Sequence, residues 1–342
     1  MGDAMDVYLL SLGDHLPDPV SGDRVSQRER LRGIVEMAVL AEELGFTGVA
    51  VGEHHFHGYI VSAPELLLAA IADATTRLRL TTAVTLLAHA DPVRVAEQLN
   101  TLDVLSDGRA EMTIARGVSP RTWKAFGLRD VDEVRSRLEA NLQLLLLLLT
   151  EDEVTWDGDT RPSLAAVRVE PRSIQRPRPP IWMGGGLSNR SAELAASHGL
   201  PLMLPSTLRP PEDHLPVVEH YRSEMKRHAT GAPVRVGLPV HVFVAPTRAE
   251  AEAAWRPHWE AYARFANALR GSDRPVDLCH ALDGPAICGD PATVADRLLG
   301  LREALGLDVL LTMFDIGGLP LAQARASMQL FGAEVLPRLT AA

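Results

Sequence analysis

The feature that most constrains the fold of this 342-residue chain is a regular alternation of short apolar runs with segments of helical periodicity. Eight β-type runs can be recognised, and a helical segment follows each of them. The runs cover residues 5–12, 48–54, 78–86, 110–117, 179–186, 200–206, 234–245 and 308–315. Strands that are apolar on both faces are typical of parallel sheets covered by helices, and eight βα units in this length predict an α/β fold, a closed (β/α)8 TIM barrel. A doubly wound sheet is the alternative, disfavoured because no G-x-G-x-x-G follows the first run.

The alternation predicts a single barrel domain over residues 1–342. Residues 151–179 interrupt it with a polar, proline-rich stretch, which predicts an insertion or a short hairpin. Helix boundaries are marked by Gly45, at a position where a C-terminal glycine is expected, and by Pro64 and Pro92 at helix starts.

Composition and charge argue against several classes of binding partner. The net charge is −10 and no basic run is present, so nucleic acid is not expected as a partner. The acidic start does not resemble a secretory signal, and the longest apolar run, 144–149, is too short to cross a membrane. Two cysteines are too few for a disulfide framework. A cytoplasmic protein without a membrane partner is expected.

Titratable groups cluster at the end of the second run, where a barrel places its chemistry. Glu53, His54, His55 and His57 lie within five positions. The spacing of His55 and His57 resembles the HxH pattern of metal-dependent hydrolases of barrel fold, but zinc needs further ligands.

Those ligands are scarce at the other strand ends. The fifth and sixth runs supply none, which leaves only His89 and Asp315 as candidates. The simpler alternative is that a histidine here only forms a hydrogen bond to the backbone. This alternative is preferred for His57 and not for His54.

The segment GGGLSNRS at 184–191 is a candidate anion site. Glycines let the backbone approach a ligand closely, and the free amides of a helix N-terminus bind anions. Ser188 and Ser191 add hydroxyl groups, Ser188 also being a good N-cap, and Arg116 at a neighbouring strand end can supply a guanidinium. The alternative is an ordinary tight turn and a capped helix, but with Arg116 nearby a phosphate site is favoured.

The third run, TTAVTLLA, offers small and apolar side chains without charge. Such a surface suits a flat aromatic ring, although plain barrel core would have the same composition.

Together these segments resemble the bacterial luciferase-like family of flavin-dependent monooxygenases. The similarity covers most of the chain and is strongest over 45–127 and 180–206. It rests on GFTGVAVGEHHF (45–56), DPVRVAEQLNTLDVLSDGRAEMTIARG (91–117), WKAFG (123–127), PIWMGGGLSNRSAELAASHGLP (180–201) and LFGAEVLP (330–337). Occurring in this order, the motifs are specific, whereas any one of them alone would be weak.

The resemblance implies roles for particular residues. His54 corresponds to an acid/base histidine beside the flavin, with Glu53 and His55 as neighbours in the catalytic group. Ala83 and Val84 correspond to a pair joined by a non-proline cis peptide under the flavin ring. The phosphate-binding positions implied by the resemblance are Arg116, Gly186, Leu187, Ser188, Asn189, Ser191 and either Arg135 or Arg137.

The resemblance also implies the chemistry. FMN, reduced by a separate flavin reductase, would react with dioxygen and oxygenate a small organic substrate. The arginine-rich composition suggests a GC-rich bacterial genome, and with it a secondary metabolite, such as an antibiotic intermediate, as substrate. The resemblance further implies a homodimer and a mobile lid over residues 255–289.

Two positions depart from the pattern. Ala115 stands where bacterial luciferases carry a reactive cysteine, and Asp91 replaces a histidine, so light emission and aldehyde specificity are not carried over. Three alternatives remain: a deazaflavin-dependent oxidoreductase of the same fold, a metal-dependent barrel hydrolase, and a non-catalytic luciferase relative.

Overall fold

The computed structural model describes residues 4–56, 58–186, 188–205, 211–269 and 286–341. Eight parallel strands close into a barrel in the order β1-β2-β3-β4-β7-β8-β9-β11, with β11 paired to β1. The barrel strands are β1 (Asp6–Ser11), β2 (Gly48–Val51), β3 (Arg79–Leu86), β4 (Ala110–Ala115), β7 (Ile181–Gly184), β8 (Leu202–Met203), β9 (Val236–Val244) and β11 (Val309–Met313). The predicted (β/α)8 barrel is therefore confirmed.

Helices surround the barrel and follow its strands. They are α1 (Gln27–Leu44), α2 (Pro64–Ala74), α3 (Pro92–Leu105), α4 (Pro120–Ala125), α5 (Val131–Thr150), α6 (Asn189–Ser197), α7 (Leu215–His228), α8 (Arg248–Leu269), α9 (Pro291–Leu305), α10 (Leu321–Leu330) and α11 (Leu336–Thr340), with a π-helical turn Phe331–Val335 between the last two. Gly45 ends α1 in the left-handed conformation, and Pro64 and Pro92 begin α2 and α3, as the sequence predicts. None of the helices in the described ranges is long and apolar enough to cross a bilayer.

Alternation along the strands separates two apolar cores. In β1, Val7 and Leu9 belong to the large core between barrel and helices, whereas Tyr8 and Leu10 belong to a second cluster. Successive side chains of a strand point to opposite faces, so this second cluster fills the barrel interior. Trp255 of α8 belongs to it as well, so α8 packs onto the interior core.

Two segments predicted to depart from the barrel can be located. Residues 151–179 contain β5 (Val154–Trp156) and β6 (Leu164–Val167), which form an antiparallel pair outside the barrel sheet. The predicted lid, 255–289, begins within α8, where Trp255 and Trp259 are 0% and 1% exposed. It ends in β10 (Ala286–Gly289), which pairs with β9. Residues 270–285 lie outside the described residues, and the lid role stays a prediction.

Candidate functional site

Glu53, just after β2, organises the group of acidic and imidazole side chains at this strand end. Its Oε2 accepts a hydrogen bond from the backbone N–H of Leu86, at the end of β3, at 2.8 Å. Its Oε1 lies 2.8 Å from Nε2 of His55. Glu53 therefore ties two neighbouring strand ends together, and a carboxylate on one ring nitrogen fixes the orientation of the His55 imidazole.

His54 is held by different contacts. Its backbone N–H donates to the carbonyl of Val61 at 2.9 Å, which closes the loop after β2. Its imidazole stacks on the ring of Tyr59, with centroids 3.9 Å apart and an interplanar angle of 15°. The adjacent histidines are thus distinct, since His55 pairs with a carboxylate and His54 lies against an aromatic ring.

Aromatic rings enclose the His55 side of the group. The ring of Phe126, after α4, lies 4.9 Å from His55 and 5.5 Å from His89 between centroids. Burial is the largest effect on His89 and lowers the pKa of its imidazole, so it is neutral at neutral pH. Phe56 is 55% exposed and adopts a φ of 68°, which is rare for a bulky residue.

The middle of β3 offers a small apolar surface to this end of the barrel. The peptide bond between Ala83 and Val84 is cis, as the resemblance implied. Both residues are half-buried, whereas their β3 neighbours Thr82 and Thr85 are buried. Gly184 at the end of β7 faces them closely: a Cβ built there would lie 3.1 Å from Val84 Cγ1 and 3.1 Å from Ala115 Cβ. A side chain at 184 would therefore cover the surface that the strand ends leave free.

A cationic corner lies beside this surface. Arg116, directly after β4, has a guanidinium whose pKa is lowered by burial and, secondarily, by the charge of Arg135 on α5. Within the described ranges no carboxylate lies within ion-pair distance of Arg116, and its nearest ring is Trp123, 5.6 Å away. Arg137, the other arginine proposed from the sequence, donates instead to the carbonyl of Thr160 at 3.2 Å. Arg135 is the arginine whose charge acts on Arg116, and its own Nη1 lies 3.1 Å from Asp132 Oδ1.

The N-terminus of α6 approaches the same corner. Ser188 occupies the N-cap position of α6, as predicted, but its side chain makes no capping hydrogen bond to the described residues of the helix. Ser191 packs near Gly185, where a built Cβ would lie 3.6 Å from Ser191 Cβ. Arg190 ties α6 to α5 through Glu139, with Nη2 and Oε1 2.8 Å apart. Amides and hydroxyls at this end are therefore available to a ligand.

Other predicted residues are placed less completely. Gly186 and Asn189 are exposed at the start of α6. His57 and Leu187 lie outside the described residues. Within the described ranges no three His, Cys, Asp or Glu side chains come together as a metal site.

Sequence reasoning missed several residues that shape this site. Tyr59 stacks on His54, and Phe126 covers His55 and His89. Phe126 lies in the WKAFG motif, so the motif was the available signal. No pattern in the sequence indicated Tyr59.

Comparison with known proteins identifies the class. Residues 5–308 match the model of the luciferase-like monooxygenase family, so the chain belongs to that family. The family is named for monooxygenases, enzymes that use dioxygen and an organic substrate. The uncharacterised protein y4wF of Sinorhizobium fredii is 29% identical over 95% of this chain and 96% of that protein. The alkanal monooxygenase alpha chain of Photorhabdus luminescens is 32% identical over 52% of this chain and 49% of that protein.

Solved structures agree with this assignment. Monooxygenase RslO1 from Streptomyces bottropensis superposes with a TM-score of 0.86 at 27% identity, covering 97% of this chain and 99% of that one. Two more distant structures share the fold. One is a 3,6-diketocamphane monooxygenase component from Pseudomonas putida in complex with FMN (TM-score 0.77, 20% identity, 98% of each chain). The other is an F420-dependent secondary alcohol dehydrogenase (TM-score 0.75, 16% identity, 98% and 99%). The fold alone therefore accommodates both kinds of flavin cofactor.

Proposed function

We propose that the protein is an FMN-dependent monooxygenase that takes reduced FMN and dioxygen and oxygenates a small organic substrate. One observation carries this proposal. The ends of β2, β3, β4 and β7 bring together the imidazole of His54, the Ala83–Val84 surface facing Gly184, and Arg116 near α6.

The phosphate of FMN fits the cationic corner. Arg116 is partly buried near Arg135 and has no carboxylate partner among the described residues, and partial burial of such a cation costs free energy that a bound dianion would offset. The amides at the start of α6 and the hydroxyls of Ser188 and Ser191 would complete the phosphate site. Gly186 and Asn189, and Leu187 between them, are the backbone positions that we propose for the same contact.

The isoalloxazine ring fits the surface between β3 and β7. Ala83, Val84 and Ala115 are small, and Gly184 has no side chain to block the ring. Reduced flavin, when bound, supplies the electrons that activate dioxygen. The protein's part is to place the ring, keep water away from it and manage protons.

His54 is the residue that we propose for proton transfer. Imidazole titrates near neutral pH, so it can give or take a proton at a ring nitrogen. Glu53 and His55 form the adjoining pair, in which Glu53 holds the ring and fixes β2 to β3. Phe126 and Tyr59 shield the two imidazoles from water.

Anaerobic titration tests the cofactor. Reduced FMN and reduced F420 are added separately to the protein, and binding is followed by absorbance. We expect reduced FMN to bind more tightly, and rapid mixing with dioxygen to change the near-ultraviolet absorption before oxidised FMN returns. Tight binding of F420, with hydride transfer that needs no dioxygen, would instead support the deazaflavin alternative.

Replacing His54 tests the mechanism. His54→Ala should abolish oxygenation and leave the Kd for reduced FMN within about twofold, because His54 lies away from the phosphate corner. A non-catalytic flavin-binding relative would react identically with and without His54.

We further propose a homodimer, a flavin reductase as electron source, a cytoplasmic location and a secondary metabolite as substrate. Exposed apolar side chains on α2 and α3 support the dimer, since Leu66 is 75% and Leu105 65% exposed. The arginine-rich composition and the similarity to a Streptomyces monooxygenase support the substrate class. Leu66→Asp should shift the sedimentation coefficient to that of a monomer.

A further inference from the structure

Tyr59 is the aromatic side chain in closest contact with the imidazole proposed to transfer protons. The nearly parallel rings of Tyr59 and His54, 3.9 Å apart, form a stacked pair rather than an edge contact. A stacked neighbour restricts rotation of the imidazole about its χ2 torsion. The aromatic face of Tyr59 therefore contributes to the orientation of His54, whereas the carboxylate of Glu53 contributes to that of His55.

The backbone around Tyr59 is fixed from the β1 side of the barrel. Tyr59 forms an antiparallel bridge with Asp14, and the backbone N–H of Ile60 donates to the carbonyl of Gly13 at 2.9 Å. Gly13 has a φ of +68°, and a Cβ there would lie 2.4 Å from Val61 Cγ2. The segment after β1 can therefore pair this closely with the loop that carries Tyr59 because residue 13 is a glycine.

The side chain of Tyr59 is supported by α8. Its hydroxyl lies 3.5 Å from that of Tyr262, and its ring centroid lies 5.1 Å from that of Phe265. Trp255 and Trp259, earlier in the same helix, are buried in the interior core. Contacts therefore run without a gap from the barrel core through α8 and Tyr59 to His54.

We propose that Tyr59 is a positioning residue, which fixes the plane of the His54 imidazole and is itself held by α8. This inference rests on the proposed function, because orienting the His54 imidazole affects the reaction only if His54 transfers protons. Tyr59 acts with its ring face, so its hydroxyl is dispensable and its aromaticity is not.

Two substitutions at the same position separate ring from hydroxyl. Tyr59→Phe keeps the stacked face, whereas Tyr59→Leu removes it and keeps an apolar side chain. Tyr262→Phe is the control that removes only the hydroxyl contact from α8.

The first measurement uses protein without cofactor. Spectra are recorded on samples with isotope-labelled histidine, in which His54→Ala identifies the His54 signals among those of the 12 histidines. We expect the ring current of Tyr59 to shift the His54 ring protons upfield in the wild type and in Tyr59→Phe. In Tyr59→Leu the shift should be lost, while the signals of His55 stay in place. Unchanged His54 signals in Tyr59→Leu would overturn the inference.

The second measurement uses the complex with reduced FMN. After mixing with dioxygen, the return of oxidised FMN is timed by absorbance. Tyr59→Leu should change this rate about two- to tenfold, in the same direction as His54→Ala. The interaction free energy of a stacked aromatic pair corresponds to a rate change of about this size. Tyr59→Phe and Tyr262→Phe should stay within about twofold, and the Kd for reduced FMN should hold in all three.

The outcomes separate the inference from the proposed function. If His54→Ala changes the rate and Tyr59→Leu does not, the positioning role is wrong and the role of His54 stands. If His54→Ala leaves the rate unchanged, the proton-transfer role is wrong. The cofactor-free spectra still decide whether Tyr59 stacks on the His54 ring in solution.

Discussion

The two halves of the barrel mouth are built from the same βα units, but they differ in how their charged side chains are paired. At the β1 and β11 ends, Arg30 lies between two buried carboxylates, with Nη1 2.8 Å from Asp315 Oδ2 and Nη2 3.5 Å from Asp14 Oδ1. Ser11 donates to Asp315 at 2.7 Å, and Trp255 of α8 belongs to the apolar cluster that fills the barrel interior. This half, the completed half of the mouth, pairs its charged side chains within the chain.

The half formed by β2, β3, β4 and β7 is left incomplete. Arg116 feels the charge of Arg135 and has no carboxylate partner among the described residues, and the side chain of Ser188 makes no capping hydrogen bond to α6. Gly184 leaves the Ala83–Val84 surface uncovered. One half of the mouth therefore stabilises the fold, and the other half keeps its binding capacity for a ligand. Substitutions in the two halves should therefore affect different measurements.

The largest expected effect is a loss of stability in the completed half. Trp255→Ala removes a fully buried indole and should lower the free energy of unfolding by about 3–5 kcal/mol. Urea unfolding followed by circular dichroism measures it. Phe126→Ala, at a ring that is 40% exposed in the other half, is the matched control and should cost less. Equal losses for the two variants would contradict the division.

The buried ionic cluster of the completed half should make stability depend on pH. Burial raises the pKa of Asp14 from 3.8 to about 6, although Arg30 opposes the shift. The folded protein thus holds a proton that the unfolded chain releases, so the contribution of Asp14 to stability is lost as pH rises from about 4 to about 6. Its size is roughly 3 kcal/mol.

Asp14→Asn isolates that contribution. The variant cannot ionise at this position, so its stability should not show the fall that Asp14 adds to the wild type. Urea unfolding at a series of pH values gives the difference between the two proteins. A constant difference across the series would show that Asp14 does not titrate in this range.

The next effect belongs to the incomplete half. Arg116→Ala should weaken the binding of reduced FMN by about 10- to 100-fold, the range expected for a charge-assisted contact of about 1.5–3 kcal/mol. Anaerobic titration measures it, and the melting temperature should not fall. Arg129→Ala, at an exposed arginine paired with Glu133 on α5, is the control and should bind FMN normally. Equal binding by both variants would remove Arg116 from the phosphate site.

The sequence predicted the parts of the molecule that depend on local pattern. The barrel followed from the eight alternating runs, the end of α1 from Gly45, and the grouping at β2 from Glu53 and its histidines. These features are written in periodicity or in a single residue type, so they could be recognised without knowing the contacts.

Features that depend on distant contacts could not be predicted. Whether Glu53 pairs with His54 or with His55 is decided by the chain path after β2, and Tyr59 returns to His54 because of its pairing with Asp14. Trp255 was assigned to a lid because residues 255–289 fall where the resemblance implies a mobile lid. Its burial depends on the barrel interior, to which strands from across the chain contribute.

At Ser188 the local sequence pattern predicts a contact that the structure does not contain. Substitutions at this residue and at the N-cap of α5 have the smallest expected effects on stability and on FMN binding. A serine at an N-cap predicts a capping hydrogen bond, which Ser188 does not make within the described residues. Asp130, at the N-cap of α5, does make it, accepting from the amides of Asp132 and Glu133 at 3.0 and 2.9 Å. Asp130→Ala should therefore cost about 1 kcal/mol of stability and leave FMN binding unchanged.

Ser188→Ala should do the reverse. It removes no capping bond, so the free energy of unfolding should hold, while loss of one hydroxyl hydrogen bond to phosphate should weaken reduced FMN binding by about two- to tenfold. Urea unfolding and anaerobic titration of both variants form a cross-comparison in which each protein serves as the control for the other. If Ser188→Ala lowers stability as Asp130→Ala does, its hydroxyl caps α6 in solution, and the contrast between a completed and an incomplete half would not hold at this helix.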